Sequence, residues 1–256
     1  MRTYLRIRGS EAEELTGEVV REQPLTVSVN GQRFLTLLCS PIKLQELVLG
    51  YLWMEKVITD IDEVVGCEIS VVDGRADVTT AHPVVLPTER ILTSGCGGGI
   101  TFRIDHRLFP RLSSPLRVRA AQLTERMKDL FAAAVHYRRS RGIHGAALTD
   151  GERLLVTAED VGRHNAVDKL KGEALMRGIP TEERILLSTG RVSSEMLLKA
   201  ARMGVPIVAS RTSPTEMAVA LAEQLNVTVC GYVRGDSLNL YAGDGIVLEG
   251  VPIGRG

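Results

Sequence analysis

The sequence predicts a mixed α/β protein, with a β-rich region over residues 1–112 and a layered α/β domain over residues 113–256. Three observations carry this reading. In the second part, apolar runs of strand length ("RILLST", "PIVAS", "VTVCGYV") alternate with stretches of helical spacing ("SSEMLLKAARMG", "SPTEMAVALAEQLN"). Such alternation implies a layered domain with a mainly parallel sheet portion. In the first part, β-prone runs are punctuated by Asn30-Gly31 and Asp73-Gly74, both strong hairpin signals. A chain of 256 residues, 44% hydrophobic, has ample material for a core.

The elements follow in order. "PLTVSVN" and "RFLTLLCS" form the first hairpin. "KLQELVLGYLWMEKVI" repeats Leu44, Leu47, Val48, Tyr51, Leu52 and Met54 at helical spacing. "VVGCEISVVDGRADVTTA" turns at Asp73-Gly74 as a second hairpin, and "HRLFPRLSSPLRVR" links the two regions. "VRAAQLTERMKDLFAAAVHYRRS" reads as one long amphipathic helix. "HGAALT" and "RLLVTAE" then flank Asp150-Gly151, and "HNAVDKLKGEALMRG" is a helix ending at Gly178. No internal repeat is present.

Composition excludes several classes. Thirty-one basic residues balance thirty-one acidic ones, so no cationic excess exists to neutralise a nucleic-acid backbone. The start, "MRTYLRIRGSEAEELTG", lacks the apolar core of a signal peptide, and no apolar run approaches a membrane span. Cys39, Cys67, Cys96 and Cys230 are scattered without a Cys-x-x-Cys pair, which fits a reducing cytoplasm rather than a disulfide framework. His82, His106, His136, His144 and His164 show no ligand spacing, so no metal site is expected. Neither a phosphate-loop motif nor a zinc-deaminase signature occurs.

Three loops in the second part fall where α/β sheets bind ligands, between a strand and the following helix. "AEDVGRHNAVDK" gathers Glu159, Asp160, Arg163, His164, Asn165 and Asp168 around a helix start, a plausible anion site. The plainer alternative is that Asp160 caps the helix while Arg163 and Asp168 face solvent. "STGRVSSE" offers Arg191 to a phosphate or carboxylate, or else Ser193 or Ser194 simply caps the next helix. "SRTSPTE" is either a cap or a cradle.

Cys96 stands apart from the other thiols. Cys39, Cys67 and Cys230 sit in apolar, β-like runs, where a free cysteine is usually a small buried hydrophobe. Cys96 is flanked by Gly95, Gly97, Gly98 and Gly99, which cannot build a packing shell. A glycine backbone can carry a thiol between two centres, or aim several N–H groups at one sulfur and favour the thiolate. An incidental cysteine in a tight turn remains the alternative.

The combination of "EQPLTVSVNG", "SGCGGG", "GIHGAAL", "EDVGRHNAVDKL" and the run from "STGRVSSE" to "YVRGDSLNLY" resembles the formate dehydrogenase accessory (FdhD) family, from about residue 20 to residue 245. The resemblance implies a cytidine-deaminase-like layered α/β fold without the zinc site. It implies a sulfurtransferase that takes persulfide sulfur from a cysteine desulfurase and passes it to the molybdenum cofactor of formate dehydrogenase. Cys96 then occupies the persulfide-carrying position. "YVRGDS" (Tyr232, Val233, Arg234, Gly235, Asp236, Ser237) matches the region associated in the family with the bis-molybdopterin guanine dinucleotide form of the cofactor. With Arg191, His164 and Asn165, it makes up the expected cofactor-binding set. Read from the residues alone, "YVRGDS" is better taken as a β-turn at Gly235-Asp236 with an exposed arginine than as a site where Arg234 pairs with a phosphate and Asp236 accepts from a guanine edge.

One departure from the family pattern concerns the glycine loop. Many members carry Cys-x-x-Cys there, whereas this chain has Gly99 at the second position. A relay through one thiol needs no second cysteine, but a local dithiol cycle is excluded. That absence favours an alternative function, a non-catalytic cofactor-binding chaperone for apo-formate dehydrogenase. A nucleotide-dependent enzyme built on the three loops is a weaker reading, and a homodimer through exposed β edges is also open.

Overall fold

The computed structural model describes residues 1–85, 90–92, 100–102, 109–248 and 251–252. The chain runs β1 (Arg2–Arg8), β2 (Glu11–Gly17), β3 (Gln23–Val29), β4 (Gln32–Cys39), α1 (Leu44–Met54), β5 (Val64–Ser70), β6 (Arg75–Thr80), β7 (Arg90–Leu92) and β8 (Ile100–Phe102). It continues through β9 (Val118–Arg119), α2 (Ala120–Ala133), α3 (Val135–Ser140), β10 (His144–Thr149), β11 (Leu154–Asp160), α4 (Arg163–Met176), β12 (Ile185–Ser188) and α5 (Ser194–Arg202). The last elements are β13 (Ile207–Ser210), α6 (Glu216–Leu225), β14 (Thr228–Arg234), β15 (Ser237–Ala242), β16 (Ile246–Leu248) and β17 (Val251–Pro252).

Both expected hairpins of the first part form. β3 and β4 turn at Asn30 and Gly31, with φ of 49° and 78°, the left-handed pair that a two-residue hairpin requires. β5 and β6 pair across Asp73-Gly74, and β3 lies parallel to β6, giving the sheet order β4-β3-β6-β5. Leu25, Val27 and Val29 alternate inward and meet Leu47, Val48 and Leu52 of α1 in one core. Buried residues lie around most of α1, because its other side packs on α4. The crossing is close enough that a Cβ on Gly50 would lie 1.8 Å from the Asp168 carbonyl oxygen, and one on Gly172 would lie 1.9 Å from that of Glu46.

The second part is built on a six-stranded sheet in the order β11-β10-β12-β13-β14-β15. Ala146, Leu148, Leu186, Val208 and Val229 face α4, α5 and α6, while Ala147, Leu187, Ile207, Ala209 and Cys230 face the α2 side. β12 and β13 are buried along their whole length, as central strands covered on both faces must be. The sheet is less parallel than expected: only β12–β13 and β13–β14 run parallel. Hairpins at Asp150-Gly151 and Gly235-Asp236 force antiparallel neighbours, and only strands joined through α5 and α6 can run parallel.

The expected single helix across residues 118–140 is two helices that meet at Ala134. The Glu159 carboxylate accepts the backbone N–H groups of His136 (3.2 Å) and Tyr137 (2.6 Å), so a side chain from β11 starts α3 afresh. β11 is an edge strand whose free carbonyls are capped by cations. Arg177 donates to Leu155 (3.2 Å), Lys43 to Thr157 (2.7 Å) and Lys169 to Glu159 (3.1 Å). Such capping blunts further strand pairing. Phe109 and Leu112 lie on the second part, and Leu112 exchanges hydrogen bonds with Leu225 and Asn226.

The β1–β2 ribbon was not anticipated, since "MRTYLRIRGSEAEELTG" alternates charge more visibly than apolarity. Its register places Leu5, Ile7 and Ala12 on one face and Arg6, Arg8, Glu11 and Glu13 on the other.

Candidate functional site

One edge of the six-stranded sheet collects all three loops singled out in the sequence. The register places Ser188 beside both Ala146 and Ser210, and His144 opposite Asp160, so β10, β11, β12 and β13 present the same end. Backbone and hydroxyl groups bind the loops together. Thr189 and Gly145 exchange two hydrogen bonds (2.9 and 3.0 Å), and Ser210 Oγ donates to the Gly190 carbonyl (2.6 Å). Val192 bridges to the Pro214 segment, and the Tyr232 N–H donates to the Thr212 carbonyl (3.1 Å). Ser193 and Thr215 cap α5 and α6, as the plainer readings of those loops had it.

Three arginines stand on this edge. Arg191 is exposed and bonds no other described residue. The Arg211 guanidinium lies 4.9 Å from the Phe131 ring centre, and Arg234 Nε donates to the Arg211 carbonyl (2.9 Å) while its guanidinium lies 5.7 Å from the Tyr232 ring centre. Stacking and a single carbonyl leave most guanidinium donors for an anion.

Beneath the rim lies a buried polar layer. Asp160 is fully buried and accepts from the Gly162 N–H (2.8 Å), Asn165 Nδ2 (2.9 Å), the Ser40 N–H (3.1 Å) and Lys169 Nζ (2.5 Å). Asn165 Nδ2 also donates to the Leu38 carbonyl (2.8 Å), and the Val161 N–H donates to Ser40 Oγ (3.0 Å). This knot ties the end of β4 to the start of α4. Arg163 and Asp168 are buried too, rather than facing solvent.

A second cluster lies deeper. Lys199 Nζ bonds Asp168 at 2.6 Å, both side chains nearly sealed from water. Burial pushes the Asp168 carboxyl up to about 6 against the pull of Lys199. Burial opposes the Lys199 ammonium, yet Asp168, Glu195 and Glu55 together hold its pKa above the usual lysine value. Burial likewise raises Glu55 to about 7, with Lys199 and Arg202 only partly offsetting it. His164 Nε2 lies 3.2 Å from Ser193 Oγ and 3.4 Å from Glu195 Oε2. Burial first, then Lys199, Arg163 and His144, depress its pKa to about 2, so the ring is neutral and its contact with Glu195 is no ion pair.

Comparison with known proteins decides the family. The FdhD/NarQ family model matches residues 20–247. The chain belongs to the FdhD/NarQ family. Among curated members, the sulfur carrier protein FdhD of Bacillus pumilus (strain SAFR-032) is 42% identical over 232 residues, 88% of each chain. That of Bacillus subtilis (strain 168) is 38% identical over 247 residues, 94% of each chain. A crystal structure from Desulfotalea psychrophila, described as a formate dehydrogenase accessory protein, superposes with a TM-score of 0.81. It is 27% identical and covers 96% of this chain and 98% of its own. The mixed α/β architecture is therefore that of the family.

Each expected residue can now be placed. Cys96 falls between the paired strands β7 and β8, outside the described residues. Tyr232, at φ 51°, and Arg234 lie on the rim. Gly235 and Asp236 form the exposed β14–β15 turn, and Ser237 Oγ donates back to the Arg234 carbonyl (3.1 Å). Val233 is wholly buried in the core, so only its backbone can meet a ligand. His164 meets Arg191's loop at Ser193, whereas the Asn165 amide nitrogen is committed to the knot.

The other thiols are held protonated. Burial pushes Cys39 to about 12, Cys230 to about 12 and Cys67 to about 11, so none is a ready nucleophile. Among the described residues, no group of three or more His, Cys, Asp or Glu side chains is placed to hold a metal. Sequence reading missed Ser40, Glu55 and Lys199. A single lysine inside "EMLLKAAR" looks like a solvent-facing residue until α4 supplies Asp168 from 31 positions away.

Proposed function

We propose that this chain is a sulfur carrier in formate dehydrogenase maturation, with Cys96 as the carrying thiol. The observation that carries the reading is family membership, joined to a disposition of thiols in which Cys39, Cys67 and Cys230 are all held inert by burial. In the proposed relay, the Cys96 thiolate attacks the outer sulfur of a cysteine desulfurase persulfide. The donor S–S bond breaks, the desulfurase thiolate leaves, and Cys96 holds the sulfur as a persulfide until it passes to the molybdenum cofactor.

The substrate is the bis-molybdopterin guanine dinucleotide form of that cofactor, an anion that fits the rim. Arg191, Arg211 and Arg234 take its phosphates, with Asp236, Ser237 and the Tyr232 ring available to its guanine moiety. The protein acts in the cytoplasm, and among its described residues no helix is long and apolar enough to cross a membrane. Incubation with a desulfurase and cysteine should add sulfur mass to the peptide containing Cys96. An unmodified peptide, or full dehydrogenase activation by Cys96→Ala, would overturn the relay.

Gly99 in place of the second loop cysteine favours one rival, a chaperone that binds the cofactor for apo-formate dehydrogenase without carrying sulfur. Cys96→Ala that still binds cofactor and still supports activity would select it. We also propose a homodimer. The β1–β2 ribbon leaves Leu5 61% and Ile7 71% exposed, and a two-stranded ribbon in water is marginal without a cover. Arg6 and Arg8 on β1 face Glu13 and Glu11 on β2, and the ribbon's arginines and glutamates balance in number, so it is charge-neutral and self-complementary, suited to a second copy.

A further inference from the structure

The surroundings of His164 decide where its single ring proton sits. Ser193 Oγ and Glu195 Oε2, both contributed by the start of α5, lie 3.2 and 3.4 Å from Nε2. Ser193 Oγ already accepts the Met196 N–H as the α5 cap. A proton on Nε2 can donate to Ser193 Oγ and is stabilised by the nearby carboxylate 3.4 Å away, whereas a lone pair there would oppose that charge. Nδ1 bonds no other described residue, and 14% of the His164 side chain is exposed to solvent. The cations facing the ring, Lys199 on α5 and Arg163 on α4, disfavour a second proton, as does His144 on β10.

We propose that Glu195 is a positioning residue that holds His164 as the Nε2–H tautomer, leaving Nδ1 as a hydrogen-bond acceptor for a ring N–H of the bound ligand. The proposal rests on the cofactor reading above and deepens it. A phosphate offers only lone pairs, so an acceptor nitrogen rejects it and selects a donor. The rim arginines hold phosphate, and His164 reads the ring. The matching chemistry is the lactam N–H of a 2-amino-4-oxopyrimidine edge, which guanine and pterin share.

The test uses the full chain with ¹⁵N-labelled histidine. His164 should show a protonated Nε2, an unprotonated Nδ1 and no titration between about pH 5 and 8. Glu195→Gln removes the charge at similar size, and the proton should then populate Nδ1. Calorimetry with GDP, O6-methyl-GDP (which lacks the ring N–H), free pterin and inorganic pyrophosphate completes it. The wild type should bind GDP about tenfold more tightly than O6-methyl-GDP. In Glu195→Gln that ratio should fall to about one, with pyrophosphate affinity unchanged.

A purely structural role for Glu195 would weaken all the probes together and leave the GDP preference intact, which overturns the proposal. A wild-type ring protonated at Nδ1 overturns it as well, without touching the proposed function. Binding of pterin but not GDP assigns the acceptor to the pterin end of the cofactor. Failure of both GDP and pterin to bind the wild type rejects the ligand class and counts against the cofactor reading itself.

Discussion

Replacing Gly50 by alanine separates two opposed physical effects by sign. Intrinsic helix propensity alone makes alanine better than glycine by about 1 kcal/mol at an interior helix position. The structure demands the reverse. The new methyl would sit 1.8 Å from the Asp168 carbonyl oxygen and 2.8 Å from the Gly172 nitrogen, both backbone atoms that cannot rotate away. The two helices must part by more than about 1 Å, and overpacking of this kind costs about 1–3 kcal/mol, more where backbone meets backbone. The burden falls on a crossing that also carries Lys171, stacked 3.8 Å from the Trp53 ring centre. After the propensity gain, a net loss of about 2 kcal/mol is expected, or about 4–8 °C in Tm for a chain of this size. Urea and thermal unfolding followed by circular dichroism would measure it. A Gly50→Ala protein as stable as wild type, or more so, would refute the close-crossing argument, and Gly172→Ala should repeat the loss from the other helix.

Lys169→Met strips the buried Asp160 of its cation while leaving its N–H donors, and should cost about 3–5 kcal/mol in urea unfolding. Restored stability in Lys169→Met/Asp160→Asn would tie that cost to the stranded charge. Glu55 has its folded pKa raised to about 7 from 4.5, so the native state binds the extra proton and stability should fall as pH rises from about 4.5 through 7. Glu55→Gln should flatten that slope, and an unchanged slope would place the titrating proton elsewhere. Leu5→Glu/Ile7→Glu should turn a sedimenting dimer into a monomer with the same thermal midpoint for the body. A wild-type monomer, or a variant that stays dimeric, would remove the ribbon from the interface.

Much of the architecture was legible locally. Asn30-Gly31 turns where a two-residue hairpin needs left-handed backbone, and α5 and α6 follow their apolar spacing. The three loops could be assigned to one sheet edge because strand–helix alternation dictates it. What stayed hidden depended on partners far along the chain. The break at Ala134 is made by Glu159, and Ser40 meets Asp160 across 120 residues. The ribbon escaped notice because its apolar alternation is confined to Leu5 and Ile7 within a charge-dense stretch, and both side chains stay exposed.

By itself, the sequence determined the layered α/β class, the family through its motifs, and the singular setting of Cys96 among glycines. Those properties reside in runs of neighbouring residues, where backbone preference and side-chain periodicity act. Only the tertiary structure decided that Asp168 and Lys199 form a buried pair, that Asn165 is spent on holding β4, and that His164 is neutral. Burial and the fields of distant charges set those outcomes, and neither exists until the helices pack.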